Sequence, residues 1–275
     1  MVVLCTLGDL LLDVIVRLER PLENGTDATA ITRTGAGGQA ANVAAWAAAL
    51  GAEARFVGKR AADAAGALAA DELESHGVTT LGPVAQGRNG VVVSLVGPDG
   101  DRAMATDRGV APELAPTELQ PEWFAGCTHL HLSGYSVMSS PIHLAAATAA
   151  RLVRAGGGTV SVDLASTSVI RDFGAERLRT RLAKLAPELV FANEQERAEI
   201  GPVDTGAGPT WVLKRGAAGC AVERGGERIE RPAVAADAVD TTGAGDAFAA
   251  GYLVGGIGLA LETAARCVSQ LGAMP

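Results

Sequence analysis

The sequence has few aromatic residues, four cysteines and no surplus of positive charge. The cysteines, at positions 5, 127, 220 and 267, are scattered without a paired spacing. This spacing supports neither a zinc site nor a disulfide framework, and unpaired cysteines indicate a reducing compartment. The formal net charge of −8 argues against nucleic acid or an anionic membrane as the main partner.

Long hydrophobic segments are also missing. The longest apolar run, residues 247–261, is short for a bilayer span and rich in glycine. The first eight residues lack the basic start of a secretory leader, and Asp9 and Asp13 follow them. We therefore expect a cytoplasmic protein with no membrane partner.

Short apolar runs alternate with alanine-rich segments along the chain. The runs predict strands at 2–7, 54–57, 128–132, 159–162, 189–191 and 210–213, and the other segments predict helices at 39–50, 64–75, 141–154, 175–185 and 245–254. This alternation is typical of a mostly parallel sheet covered by helices. In such folds, ligands bind beyond the carboxyl ends of the strands.

Two further segments interrupt the alternation. Residues 13–17 with 28–33, and 90–96 with 103–106, predict short strands joined by turns rich in Gly, Pro and Asp, including the turn at 97–102. We interpret these strands as a small separate sheet that forms a lid, the alternative being an added edge of the main sheet. A lid suits a site that must exclude water.

A glycine-rich turn that leads into a helix is predicted at residues 239–248. Gly243 and Gly245 let the backbone come close to a ligand, and the helix start offers unpaired N–H groups to an anion. Asp246 would repel an anion, so its presence suits a base that takes a proton from an attacking hydroxyl. The segment therefore indicates phosphoryl transfer to an alcohol, the alternative being an ordinary capped helix.

A second glycine motif, Gly-Gly-Gln-Ala-Ala-Asn at residues 37–42, opens an alanine-rich helix. Gln39 and Asn42 lie three residues apart and share a helix face. Because amides donate and accept hydrogen bonds, the pair suits a neutral polyol. A tightly packed helix with incidental amides is the alternative. The third glycine of a dinucleotide fingerprint is missing. Gly58-Lys59 is no P-loop either, because Glu53 stands in place of its first glycine and Arg60 follows the lysine.

The two motifs, about 200 residues apart, resemble the signatures of ribokinase-like (PfkB-type) carbohydrate kinases, and the resemblance covers nearly the whole chain. It implies a single ribokinase-like domain over residues 1–275, with a three-layer α/β/α fold and a mostly parallel central sheet. A small β-sheet lid would be formed from about residues 13–34 and 90–107. The resemblance also implies ATP as the phosphoryl donor and Mg²⁺ as cofactor.

The resemblance assigns catalytic and substrate-binding roles to both glycine motifs. Asp246 matches the catalytic base, and Gly243, Ala244 and Gly245 match the anion hole that stabilises the transferred phosphoryl group. The positions that match the sugar-binding residues of the family are Asp13, Gly38, Gln39 and Asn42.

Nucleotide-binding residues are implied between the two motifs. Asn193 and Glu196 match a pair that arranges magnesium and phosphates, and a hydrated Mg²⁺ needs few direct protein ligands. Lys214, Gly216 and Gly219 match a strand and turn that meet the nucleotide. A polar helix start at Asn193 and a solvated Lys214 are the alternatives.

The sequence also departs from the family pattern. Residues 61–63 read Ala-Ala-Asp where many relatives have Gly-Asp-Asp, and residues 267–275 form a short tail where relatives usually continue. We therefore expect a more open adenine pocket. Asp240 and Thr242 match positions that border a K⁺ or Na⁺ site in some members, so a monovalent cation site is a further expectation.

The function predicted is ATP-dependent phosphorylation of a primary hydroxyl of a sugar or related polyol. A nucleoside kinase of the same fold would need an aromatic platform for the base, and the chain has only five Phe, two Tyr and three Trp. A non-catalytic sugar or nucleotide sensor is the other alternative, although a sensor has no need for Asp246. Further candidates near the sugar are His129, His131, Ser133 and Tyr135, and Arg102 or Arg108 of the lid would suit an acidic sugar. Relatives often form homodimers through their lids.

Overall fold

The computed structural model describes residues 1–25, 27–99, 102–203 and 208–275. In these residues the helices are α1 (Gln39–Ala49), α2 (Ala64–Ser75), α3 (Gly134–Met138), α4 (Ile142–Ala155), α5 (Thr167–Phe173), α6 (Ala175–Leu185), α7 (Glu194–Ile200) and α8 (Ala244–Val268). The strands are β1 (Val3–Leu7), β2 (Leu11–Leu18), β3 (Ala30–Gly37), β4 (Glu53–Val57), β5 (Arg60–Ala61), β6 (Thr79–Leu81), β7 (Val84–Ala85), β8 (Asn89–Val96), β9 (Arg102–Gly109), β10 (His129–Ser133), β11 (Thr159–Asp163), β12 (Leu189–Asn193), β13 (Thr210–Lys214), β14 (Cys220–Arg224) and β15 (Glu227–Arg231).

The main sheet is mostly parallel and has helices on both faces. Its order is β15-β14-β13-β12-β11-β10-β1-β4-β6, and only β14 and β15 join their neighbours antiparallel within the described residues. Helices α1 and α8 cover the face that carries Leu4 and Phe191, whereas α4 and α6 cover the face that carries Leu7 and Leu130. This three-layer α/β/α arrangement confirms the predicted fold class.

A separate four-stranded sheet, which we call the lid, has the order β3-β2-β8-β9. Asp63 connects it to the main layers: its carboxylate caps α2 by accepting from the Gly66 N–H at 2.8 Å, and it also accepts from the N–H of Asn89 in β8 at 2.9 Å. Asp63 therefore links strand β8 of the lid to the first turn of α2. Of the turn predicted at 97–102, Gly100 and Asp101 lie outside the described residues.

Helix α8 is much longer than the predicted helix at 245–254. The helix continues to Val268 through a break in helical geometry at Gly256 (φ 80°), just beyond the predicted end. By length and composition alone, this helix could cross a membrane, whereas the apolar run at 247–261 was predicted to be too short for a bilayer span. Nevertheless, it buries Phe248, Ala260 and Cys267 and packs against α1, so we interpret it as a core helix.

Candidate active site

The two glycine motifs meet at the carboxyl edge of the main sheet. Asn42 in the first turn of α1 donates a hydrogen bond from Nδ2 to Asp246 Oδ2 in the first turn of α8, at 2.7 Å. The two residues are 204 positions apart in sequence. Residues 37–42 and 243–246 therefore line the same site.

Helix α8 begins at a glycine that no other residue could replace without strain. Gly243 has φ 76°, and a Cβ on it would lie 2.7 Å from atoms of Ala273. In the described part of the chain, no side chain caps this helix start. Because a helix start exposes unpaired N–H groups and the positive end of the helix dipole, it offers a site for an anion.

Asp246 has the electrostatics of a general base. Removal from water raises its pKa most, the hydrogen bond from Asn42 and the positive charge of Lys214 lower it, and repulsion from Asp163 raises it, so that the pKa lies at about 7. A base whose pKa lies near neutrality can both take and release a proton under physiological conditions. The local chemistry therefore suits proton transfer.

A buried ion pair lies beside the start of α8. Lys214, the last residue of β13, places its Nζ 2.5 Å from Oδ2 of Asp163, the fully buried last residue of β11. Burial lowers the pKa of Lys214, but attraction to Asp163 and Glu196 raises it overall, so the amine is charged. Its Nζ is 3.2 Å from the position that a Cβ on Gly245 would occupy. Sequence analysis missed Asp163, which belongs to no motif.

The predicted pair Asn193 and Glu196 forms a capping box at the start of α7. The Asn193 side chain accepts from the Glu196 N–H at 2.8 Å, and Glu196 accepts from the Asn193 backbone N–H at 2.8 Å and from Nδ2 at 2.9 Å. Burial raises the pKa of Glu196. The polar helix start is thus observed, while the role in arranging Mg²⁺ stays a prediction.

The sugar-binding candidates lie where the lid meets α1. A Cβ on Gly37 would overlap the Asp13 carboxylate, and one on Gly38 (φ 103°) would overlap the Asp9 carbonyl, so the chain needs glycine at both positions. Gln39 Oε1 accepts a hydrogen bond from Ser133 Oγ at 2.6 Å. Asp13 is close enough to Asp246 to raise the pKa of that carboxyl.

The remaining predicted residues shape two loops. Gly216 and Gly219 follow β13 in a 3₁₀ turn, and both have positive φ. Asp240 accepts hydrogen bonds from the N–H and Oγ1 of Thr242, at 2.9 and 2.6 Å, and from the Gly272 N–H at 3.1 Å. No cluster of three or more potential metal ligands occurs in the described residues. The monovalent cation site therefore stays a prediction.

An ion pair between the lid and the main layers was not predicted as such. Arg108 of β9 contacts Asp9 after β1 through Nε–Oδ2 at 2.5 Å and Nη2–Oδ1 at 2.9 Å, and its guanidinium lies 5.7 Å from the Tyr135 ring centre. Arg108 is thus already paired with a carboxylate of the protein. His129 and His131 lie in the interior, where burial lowers their pKa values to about 3 and about 4.

Comparisons with known proteins relate the chain to carbohydrate kinases. A protein-family model described as pfkB family carbohydrate kinase matches residues 2–274. The chain is 34% identical over 269 residues to an ATP-dependent ribose-1-phosphate kinase of Halopiger xanaduensis, covering 93% of this chain and 86% of that protein. It superimposes on an adenosine kinase of Sinorhizobium meliloti with TM-score 0.84 and 25% identity, covering 100% and 96% of the two chains. A ribokinase-II-type protein from Escherichia coli, solved with ATP and Mg²⁺, gives TM-score 0.81 at 21% identity, covering 100% and 95%.

Proposed function

The chain belongs to the pfkB family of carbohydrate kinases, and from this premise we propose that it transfers the terminal phosphoryl group of ATP to a primary hydroxyl of a sugar or related polyol. The family match confirms the resemblance inferred from the two glycine motifs. The observation that carries the proposal is the Asn42–Asp246 hydrogen bond, because it joins the motif at residues 37–42 to the anion-binding start of α8.

In the proposed reaction, Asp246 accepts the proton of the sugar hydroxyl while the hydroxyl oxygen of the sugar forms a bond to the terminal phosphorus of ATP. The bond from that phosphorus to the bridging oxygen breaks, and ADP leaves with the electron pair. The N–H groups of Gly243 and Gly245 and the Lys214 amine stabilise the negative charge on the transferred group. The Ala244 N–H donates to the Thr241 carbonyl at 3.3 Å and would have to leave it to join them. Gly216 and Gly219 shape the turn that would meet the nucleotide.

Magnesium fits the residues near Asn193 as a hydrated ion. The two carboxylate oxygens of Glu196 each accept one hydrogen bond within the capping box and keep capacity for a metal-bound water. Mg²⁺ usually retains several waters beside nucleotide phosphates, where it neutralises their charge. Asn193 and Glu196 would therefore hold the ion through water.

Asp240 and Thr242 are proposed to border a K⁺ ion. A comparison of turnover in K⁺ and in tetramethylammonium salts tests this proposal.

The sugar would lie between Asp13, Gly38, Gln39 and Asn42. Asn42 Oδ1 is buried and has no hydrogen-bond partner among the described residues, so a sugar hydroxyl could satisfy it. The Nδ2 of the same amide holds Asp246. One side chain would thus bind the sugar and orient the base.

The first substrate to test is ribose-1-phosphate, which the name of the Halopiger xanaduensis relative specifies. A panel of that compound, fructose, other sugars and nucleosides, each incubated with ATP and Mg²⁺, would be scored by ADP formation. Stimulation by a sugar supports the proposal. Stimulation by nucleosides alone would favour a nucleoside kinase, and binding without ADP formation would favour a sensor.

We also propose a homodimer formed through the lid. Strands β3 and β9 are the two edges of this sheet, and they expose Ile31 and Met104, whose relative exposures are 68% and 53%. Exposed apolar edge strands are suited to pairing between chains. Light scattering should give a dimer mass, and Ile31→Asp should shift the protein toward monomer.

A further inference from the structure

The buried carboxylate of Asp163 is fixed by two contacts. Its Oδ2 bonds Lys214 Nζ at 2.5 Å, and its Oδ1 accepts from the Ala165 N–H at 3.1 Å. The residue has no exposed surface. Because both of its oxygens are bonded, this carboxylate has a fixed position and can fix the position of its cationic partner.

Lys214 reaches Asp163 across the intervening strand β12. Strand β11 pairs with β12, and β12 pairs with β13, so the two residues belong to strands that are not neighbours. The lysine stem runs along Gly245, with Cδ and Cε 3.7 and 3.8 Å from the position of a Cβ there. Any larger residue at position 245 would crowd this path.

Three carboxylates compete for the Lys214 ammonium: Asp163, Glu196 and Asp246 all act on its charge. A lysine side chain is flexible, so its position depends on which partner binds it. Pairing with Asp246 would neutralise the base that has to accept the substrate proton. The contact with Asp163 keeps the ammonium beside the helix start and leaves Asp246 to Asn42.

We propose that Asp163 is a positioning residue for phosphoryl transfer, which holds the Lys214 ammonium beside the anion-binding start of α8. This inference rests on the proposed kinase function. Asp163 does not touch the reacting atoms, and it acts through Lys214. Its removal should therefore lower kcat while leaving the KM for the sugar nearly unchanged.

The test compares Asp163→Asn, Lys214→Met and the double variant in steady-state kinetics with ATP and the best sugar of the panel. Misplacing a group by about 1 Å can cost on the order of 10²-fold in rate, so we expect a loss of that size in kcat for Asp163→Asn. Lys214→Met should lose roughly 10²–10³-fold. If Asp163 acts through Lys214, the double variant should lose no more than Lys214→Met alone.

The pH profile separates positioning from mere structural support. The titratable groups that act on Asp246 or are acted on by it are Asp13, Asp163, Lys214, Tyr135 and Cys267, of which Tyr135 and Cys267 are neutral because their pKa values are raised. Asp163→Asn removes a negative charge that raises the pKa of Asp246, so the acid limb of kcat/KM should move to lower pH. Lys214→Met removes a positive charge, so the limb should move to higher pH.

The matched control is Glu188→Gln. Glu188 is also a carboxylate beside β11, paired with Arg154 at 3.0 Å, but it lies at the opposite edge of the sheet. We expect wild-type kcat and an unchanged pH profile for it.

Near-normal kcat and an unmoved acid limb in folded Asp163→Asn, with active wild type, would overturn this inference alone. If Asp163→Asn does not fold, the double variant, which leaves no unpaired buried charge, replaces it, and near-normal turnover there overturns the inference too. Wild type without sugar-stimulated ADP formation would instead overturn the proposed function.

Discussion

Helices α7 and α8 both begin at the edge of the sheet that forms the site, but their first turns differ. The start of α7 is closed, because the Asn193 amide and the Glu196 carboxylate bond each other's backbone N–H groups. The start of α8 has a glycine cap and no capping side chain in the described residues. A helix start binds an anion through N–H groups that are not already paired. The difference supports the proposed phosphoryl-binding site at α8, with α7 presenting the carboxylate oxygens of Glu196.

The largest effect should come from Asp246 at the open helix start. Asp246→Asn keeps the size of the side chain and can keep a hydrogen bond to Asn42, but it cannot accept the proton. A positioned general base contributes roughly 10²–10⁴-fold, so kcat should fall by at least that factor. Steady-state kinetics with ATP and the best sugar would measure it, and calorimetric titration should show ATP binding retained. Turnover near wild type would refute the assigned role.

The next largest effect concerns the glycine cap of α8. In Gly243→Ala, the new Cβ would lie 2.7 Å from Ala273 atoms at a φ of 76°, so the helix start must move. A residue other than glycine in this region costs about 1–3 kcal/mol, and a displaced anion site should lower kcat on the order of 10²-fold. Gly258→Ala in the same helix is the control, because its Cβ would meet nothing within 4 Å. Equal behaviour of the two variants would argue against a special role for the cap.

Activity should depend on the ionisation of Asp246. Its pKa is raised to about 7, and the ionised form is the active base, so activity is present above this pH and lost as pH falls through it. We expect kcat/KM to fall about tenfold per pH unit well below pH 7. A rate profile from pH 5 to 9 would measure this. An acid limb near pH 4, the ordinary range of a carboxyl group, would contradict the buried environment assigned to Asp246.

The smallest effect should come from the closed helix start. Asn193→Ala removes a helix cap, which typically costs about 1 kcal/mol, so chemical denaturation should show a loss of that size. The KM for MgATP should rise as well if the pair also arranges the hydrated metal. A loss of stability with unchanged MgATP kinetics would limit Asn193 to its structural role.

The sequence predicted the ends of β1 and β4 as the structure has them but stopped several other strands too early. The apolar runs end at Leu132, Val162 and Leu213, whereas the hydrogen-bonded strands continue to Ser133, Asp163 and Lys214. Hydrophobicity ends before the strands do, because the last residue of each of these strands is polar and is held by a polar partner: Ser133 by Gln39, and Asp163 and Lys214 by each other. Asp163 was missed for this reason: a single carboxylate after an apolar run matches no motif.

Other differences have equally local causes. Strand β15 is exposed along its whole length and carries no apolar run, so it escaped prediction. The Gly-Gly pair that joins it to β14 could have revealed it, because this pair is a sequence signal for a tight hairpin turn. Both glycines have the positive φ that such a turn needs. In contrast, α2 and α6 were predicted with the bounds that the structure has. Helix α2 is rich in alanine, and α6 repeats leucine at the helical spacing of Leu178, Leu182 and Leu185.

The most direct test of the account is a crystal structure of the protein with Mg²⁺ and a non-hydrolysable ATP analogue. The account predicts the terminal phosphate within hydrogen-bond distance of N–H groups at residues 243–246, with the Lys214 ammonium beside it. A terminal phosphate bound at the start of α7, or away from both helices, would contradict it.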